Sequence, residues 1–295
     1  MSLNSNTIAN GSEIPMNGIV KFAIVDFAAS SSDVSLKTVE LEKLGLAAIP
    51  TTTRVWFEKN GVRVSGRASF TSEGVAIISF APQYVVKANS TESLDLYVEL
   101  STTANQDFRF MSDTVDSTAM YTNGSFTTPT LRTANYTVAS LTIAAASATG
   151  TANVTANGME LGAFIVANTV YTGSETRDVM FQSITLRQNG SASLSNLDNI
   201  ILERNGVAVA SNPTIDGRNL TFSIMDQINH ATSATYYIKA IVNNVETSND
   251  TYQFELRNTT DLNAVETKTS FRSSVAAVVS LYTYTINGGE MTFTR

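Results

Sequence analysis

The sequence predicts an all-β chain built from two tandem antiparallel β-sandwiches related by an internal repeat. Three observations lead there: a repeat at a constant offset of 145 residues, apolar alternation of period two, and turns written in Asn-Gly. Residues 33–64 return as residues 178–209. Asp33-Val34 reappear as Asp178-Val179, and Leu36, Val39 and Leu41 as Phe181, Ile184 and Leu186. Gly45 answers Gly190, and Val55–Val62 return as Ile200–Val207. A repeat of this length describes a whole domain copied once.

Alternation sets the element type. Leu94, Leu96, Val98 and Leu100 share one face of a strand, and Tyr236, Ile238, Ala240 and Val242 share the matching face in the second copy. Val20, Phe22 and Ile24 continue the pattern, as do Val75 and Ile77, and Phe108 and Phe110 answer Tyr252 and Phe254. Such alternation belongs to strands with one buried face, not to helices. Eight of the 16 glycines follow an Asn. Both central positions of a type I′ turn need positive φ, which Asn and Gly tolerate best. Asn60-Gly61 and Asn205-Gly206, each between apolar alternations, are therefore hairpins.

The repeat gives the domain boundaries. An N-terminal segment, 1–13, precedes module 1 at 14–123, and a connecting segment, 124–157, carries the first strand of module 2. Module 2 covers 158–268, and a C-terminal strand tail covers 269–295. Seven or eight short strands per module at this spacing point to sandwiches.

Composition narrows the function. Hydrophobic residues make up 43% of the chain and charged residues 15%, so its polar surface comes mostly from Ser, Thr and Asn. The net charge of −7 and 19 thinly spread cations argue against nucleic acid, which needs clustered positive charge. No Cys is present, which removes disulfides and thiolate chemistry and suits an oxidising exterior. No apolar run reaches the ~20 residues of a membrane helix. The N-terminus shows neither a basic start nor an apolar stretch, so the expected extracellular or cell-surface protein is in mature or trimmed form.

The tandem modules resemble immunoglobulin-like repeats of bacterial cell-surface proteins, adhesins and S-layer-type proteins. The features that carry the resemblance are the Ser/Thr/Asn-rich strands, the hairpins Lys59-Asn60-Gly61-Val62 and Arg204-Asn205-Gly206-Val207, and the lack of Cys. Antibody-type domains pair two Cys around a core Trp. Trp56 has no such partners and becomes Ile201 in the second copy, so it reads as packing.

The tail supplies the functional clue. A strand-like run, Tyr282 to Ile286, follows module 2 with no further module after it. The only counterparts before module 1 are Ser2-Leu3-Asn4 and Thr7-Ile8-Ala9. Donor-strand exchange would let Tyr282, Tyr284, Ile286, Met291 and Phe293 contact another subunit, building a head-to-tail filament or layer from copies of the chain. Two other arrangements stay open: the tail hairpins within module 2 at Asn287-Gly288-Gly289, or it is the stub of a longer array. The alternative function is an adhesin or a carbohydrate- or protein-binding module, or a viral tail or capsid decoration protein.

No catalytic, cofactor or metal site emerges, and the chain is expected not to be an enzyme. The single His, His230, lies in a polar loop without a triad around it. One His and no Cys argue against zinc or redox metals. Asp33/Asp178 and Asp116/Asp261 recur between copies and are expected to cap turns rather than hold calcium. Asn-x-Ser/Thr sequons at Asn10, Asn89, Asn123, Asn135, Asn153, Asn189, Asn219, Asn249 and Asn258 mark glycan acceptors only in a glycosylating compartment.

Overall fold

The computed structural model describes residues 1–117, 124–146, 159–169, 176–243, 250–287 and 290–294. The chain divides into two units, Met1–Val138 and Ala139–Arg295. Each is a sandwich built mainly from two antiparallel sheets, and no α-helix occurs among the described residues.

Six strands build the first unit: β1 (Asn17–Ala28), β2 (Val34–Leu44), β3 (Arg54–Lys59), β4 (Val75–Val86), β5 (Thr91–Ser101) and β6 (Asp107–Ser112). One sheet runs β1-β5-β3 and the other β4-β2-β6, so every connection crosses from sheet to sheet. The second unit repeats this with β7 (Met159–Asn168), β8 (Val179–Gln188), β9 (Leu197–Arg204), β10 (Asn219–Ile228), β11 (Thr232–Val242) and β12 (Phe254–Leu256). Its sheets run β7-β11-β9 and β10-β8-β12.

The alternation maps onto the two inner faces with two corrections. Ala76, Ile78 and Phe80 of β4 face the core while Ile77 is exposed, and a bulge at Phe22 puts Ala23 and Val25 of β1 in the core instead of Ile24. Leu36, Val39 and Leu41 of β2 are buried, as are Phe181, Ile184 and Leu186 of β8. Phe22 meets Phe110 edge-on across the first sandwich, with centroids 4.9 Å apart. Phe181 meets Tyr236 the same way across the second, at 5.2 Å. Aromatic pairs of this kind add about 0.5–1.5 kcal/mol beyond their burial.

Even the irregularities repeat. A bulge sets Phe22 out of register between β1 and β5, and Leu161 sits in the equivalent bulge between β7 and β11. Both side chains are buried, so each bulge turns one extra apolar residue into the core. A second pair of register shifts falls at Lys37 in β2 and Gln182 in β8, opposite longer steps in β4 and β10. The Asn-Gly hairpins are also duplicated: Asn60 and Asn205 have φ of 51°, and Gly61 and Gly206 have φ of 78°. Positive φ at both central positions is the type I′ geometry.

Short strands complete the sheets. Ser2–Leu3 pairs with Val25 and Asp26 of β1, while Thr142–Ala145 pairs along β7 in the second unit. Within 124–157, Phe126–Thr127 and Leu131–Thr133 both pair with β6 and close the first unit.

Candidate functional site

The closing strands decide how the tail is to be read. In the first unit Leu131 pairs with Phe108, and in the second Tyr284 pairs with Tyr252, the repeat equivalent of Phe108. Val279–Ser280 pairs with β12 as Phe126–Thr127 pairs with β6. Strand Thr283–Asn287 is therefore the counterpart of Leu131–Thr133. Leu281 and Tyr284 belong to the core of the second unit. Burial and the nearby Glu160 charge push the Tyr284 phenol well above its ordinary pKa.

Beyond that closing strand the two units differ. In the first, Glu13–Ile14 runs parallel beside Leu131–Thr133. In the second, Glu290–Thr294 takes the corresponding place, antiparallel to Thr283–Asn287. Tyr284 is then in register with Phe293, and Ile286 with Met291. Tyr282 is partly buried against the same core. Among the described residues, Glu290–Thr294 lies at the end of its three-stranded sheet.

A second difference lies in the loop after β2 and after β8. In the second unit this loop folds down onto Thr251. Ala192 N–H donates to the Thr251 carbonyl at 3.0 Å, Thr251 N–H donates to Ser191 Oγ at 2.9 Å, and Ser191 N–H donates to Thr251 Oγ1 at 2.8 Å. The Gln188 amide joins in, donating to the Ala192 and Thr251 carbonyls and accepting from Gly190 N–H. Gly190 is required here because a Cβ would sit 2.0 Å from the Thr251 carbonyl oxygen.

In the first unit Gly45 turns the loop away with φ of 86°, and a Cβ there would meet nothing within 4 Å. Lys43, the counterpart of Gln188, holds this form by donating to the Gly45 carbonyl at 2.7 Å and to the Ala47 carbonyl. Leu46 is left fully exposed. The space vacated is an open cavity of about 610 Å³ lined by Leu44, Leu46, Ala47, Gln106, Asp107 and Arg109, among others. The β2–β6 ladder ends at Arg109↔Leu44. Asp107, the next residue whose backbone groups point to that edge, meets the cavity.

Asp33, Asp178 and Asp261 act as turn caps, while Asp116 lies in a strand. Asp33 Oδ1 accepts from Ala88 N–H at 2.9 Å, and Asp178 Oδ1 accepts from His230 N–H at 2.8 Å. Lys87, at 2.8 Å, and that backbone bond hold the Asp33 carboxyl below its usual pKa. Asp261 accepts from Asn258 N–H at the start of a short 3₁₀ turn, and Asp116 faces Lys37 at 3.6 Å. No group of three or more His, Cys, Asp or Glu suited to a metal ion occurs among the described residues. His230 is thus fixed through its backbone in a turn.

Trp56 is buried on the outward face of the first sheet, where it donates to Glu58 at 2.7 Å. It stacks on Tyr97 with centroids 6.0 Å apart, beneath the Arg67 guanidinium. Covered by Arg67, the fully buried Trp56 offers no exposed indole.

No protein-family model matches the chain, and no curated protein matches it. Among solved structures it is similar to the collagen-binding domain of the Erysipelothrix rhusiopathiae surface protein RspB, at 10% identity, 99% coverage of this chain, 94% of that one and a TM-score of 0.21. The collagen adhesin CNA of S. aureus shares 8% identity over 97% of each chain, with a TM-score of 0.21. The Actinomyces fimbrial adhesin FimA shares 12% over 94% of this chain and 91% of that one, also at 0.21. Overlap this low carries no argument about function. The geometry must carry it.

Sequence reasoning singled out the tail, whose strands pair within their own unit with Tyr284 in its core, and missed the loop. Its one signal was the pair Gly45-Leu46-Ala47 and Gly190-Ser191-Ala192, identical except for an exposed-looking Leu where the second copy has Ser.

Proposed function

We propose that this chain is a non-enzymatic structural protein of the cell surface or extracellular space whose copies assemble head-to-tail through the C-terminal strand. The observation that carries the reading is the strand slot beside Leu131–Thr133 and Thr283–Asn287. Glu13–Ile14 fills it in one unit and Glu290–Thr294 in the other, in opposite directions. A slot that accepts unrelated segments in either direction is specified by backbone pairing, which is the chemistry of strand addition. A low-charge surface rich in Ser, Thr and Asn lets neighbouring copies pack without strong repulsion. Because donor and acceptor lie on different units, the contact propagates instead of closing on itself.

Removing residues 290–295 is the test. Truncation at 279 would also take Leu281 and Tyr284 from the core, so the shorter deletion is the cleaner one. Sedimentation velocity over a concentration series is expected to show open-ended oligomers for the full chain and monomers for the truncated one. Identical behaviour of the two would sink the reading.

An adhesive role is the second reading, and the exposed Leu46 beside an open cavity favours it. A protein ligand presenting an extended segment suits that surface.

A further inference from the structure

We infer that the cavity at Leu46 and Asp107 is the acceptor, and that strand Glu290–Thr294 of a second copy adds to the Asp107 edge. This rests on the head-to-tail assembly proposed above and names the surface that receives the strand.

The second unit shows what the site takes. At the equivalent edge, Thr251 has its backbone N–H and C=O satisfied by Ser191 Oγ and Ala192 N–H. That loop is an internal plug. In the first unit the loop Gly45-Leu46-Ala47 turns away, and the same edge, now at Asp107, opens onto about 610 Å³. An occupant must be extended peptide, giving a carbonyl to Asp107 N–H and an N–H to Asp107 C=O. Strand edges left without such partners are what natural sheets cover or pair.

Glu290–Thr294 meets these requirements. Among the described residues it ends its sheet and pairs with Thr283–Asn287, so its other edge can add to a neighbour without breaking the hairpin. Its sequence, Glu-Met-Thr-Phe-Thr, offers apolar residues for a cavity walled by Leu44, Leu46 and Ala47. The exposed Leu46 then acquires an apolar neighbour. In the self-plugged unit the matching residue is Ser191.

Two substitutions test the site. Leu46→Ser makes the loop read Gly-Ser-Ala, as in the plugged unit, and alters a fully exposed side chain. Asp107→Pro removes the edge N–H, a change that edge strands tolerate. Each is expected to raise the concentration for half-assembly at least tenfold, with Trp56 fluorescence reporting an unchanged unfolding midpoint. A labelled peptide of residues 290–295 should bind the chain truncated at 289 and lose at least tenfold in affinity to either variant. If truncation abolishes assembly while both variants assemble and bind the peptide like the parent, the acceptor lies elsewhere and the inference falls, with head-to-tail assembly intact. If the truncated chain assembles like the full one, the underlying reading falls as well. Should Asp107→Pro unfold the first unit, Leu46→Ser alone decides.

Discussion

Replacing Gly190 by Ala tests the asymmetry between the two loops. The new Cβ would lie 2.0 Å from the Thr251 carbonyl oxygen and 2.6 Å from its carbon, both backbone atoms with no rotamer to yield. The loop must lift away, giving up the bonds from Ala192 and Ser191 N–H and to Ser191 Oγ. At about 0.5–1.5 kcal/mol net for each of these bonds, the loss is about 2–4 kcal/mol. The lower chain entropy of Ala in the unfolded state returns about 0.4–1 kcal/mol, so about 1–4 kcal/mol is expected overall. Gly45→Ala meets no atom within 4 Å, and only its φ of 86° opposes a side chain. That strain costs about 1–2 kcal/mol. Urea unfolding separates the two, because Trp56 is the lone tryptophan and sits in the first unit. Gly190→Ala should shift the circular-dichroism transition of the second unit and leave the Trp56 transition in place. A Gly190→Ala variant no less stable than the parent, or one that moves the Trp56 transition instead, would refute the packing described.

Arg177→Met should destabilise the second unit by about 3–5 kcal/mol in the same urea assay, since it strands a buried carboxylate. Arg177 lies 2.7 Å from Glu266 Oε1, both groups are buried, and Glu266 Oε2 also accepts the Ala139 N–H. Alkali should weaken the second unit through its tyrosines. Burial and the Asp250 charge push the Tyr252 phenol up to about 12, and burial likewise raises Tyr236 and Tyr284. The folded state holds these protons more tightly. Their stabilisation is therefore complete below the ordinary tyrosine value of about 10 and, for Tyr252, disappears as pH rises through about 12. Tyr252→Phe should flatten the fall in stability between those values, and an unaltered slope would contradict the assignment.

Much of the fold was legible because each signal was local or duplicated. Period-two alternation marked the strands, and Asn60-Gly61 and Asn205-Gly206 marked two hairpins whose φ values agree to the degree. The 145-residue offset aligned Asp33 with Asp178, and both carboxylates cap the same turn. The tail was harder. Tyr284 resembles a surplus strand residue until its partner, Tyr252, is seen to match Phe108 of the first unit. Pairing between residues so distant in sequence has no local signature. The cavity was harder still. Gly45 and Gly190 occupy matched positions, yet one turns the chain away and the other packs it on Thr251. What separates them is Lys43 against Gln188 and Leu46 against Ser191, a difference in side-chain bonding that alternation cannot register.

Amide hydrogen exchange at Asp107, compared with Thr251, tests the open and plugged sites most directly. Thr251, bonded to Ser191, should be protected at every concentration. The Asp107 amide should exchange at nearly the unprotected rate in dilute monomer and become protected as the full chain assembles, but stay fast in the chain lacking 290–295. An Asp107 amide already protected in dilute monomer, or equally fast after assembly, would contradict the open acceptor edge.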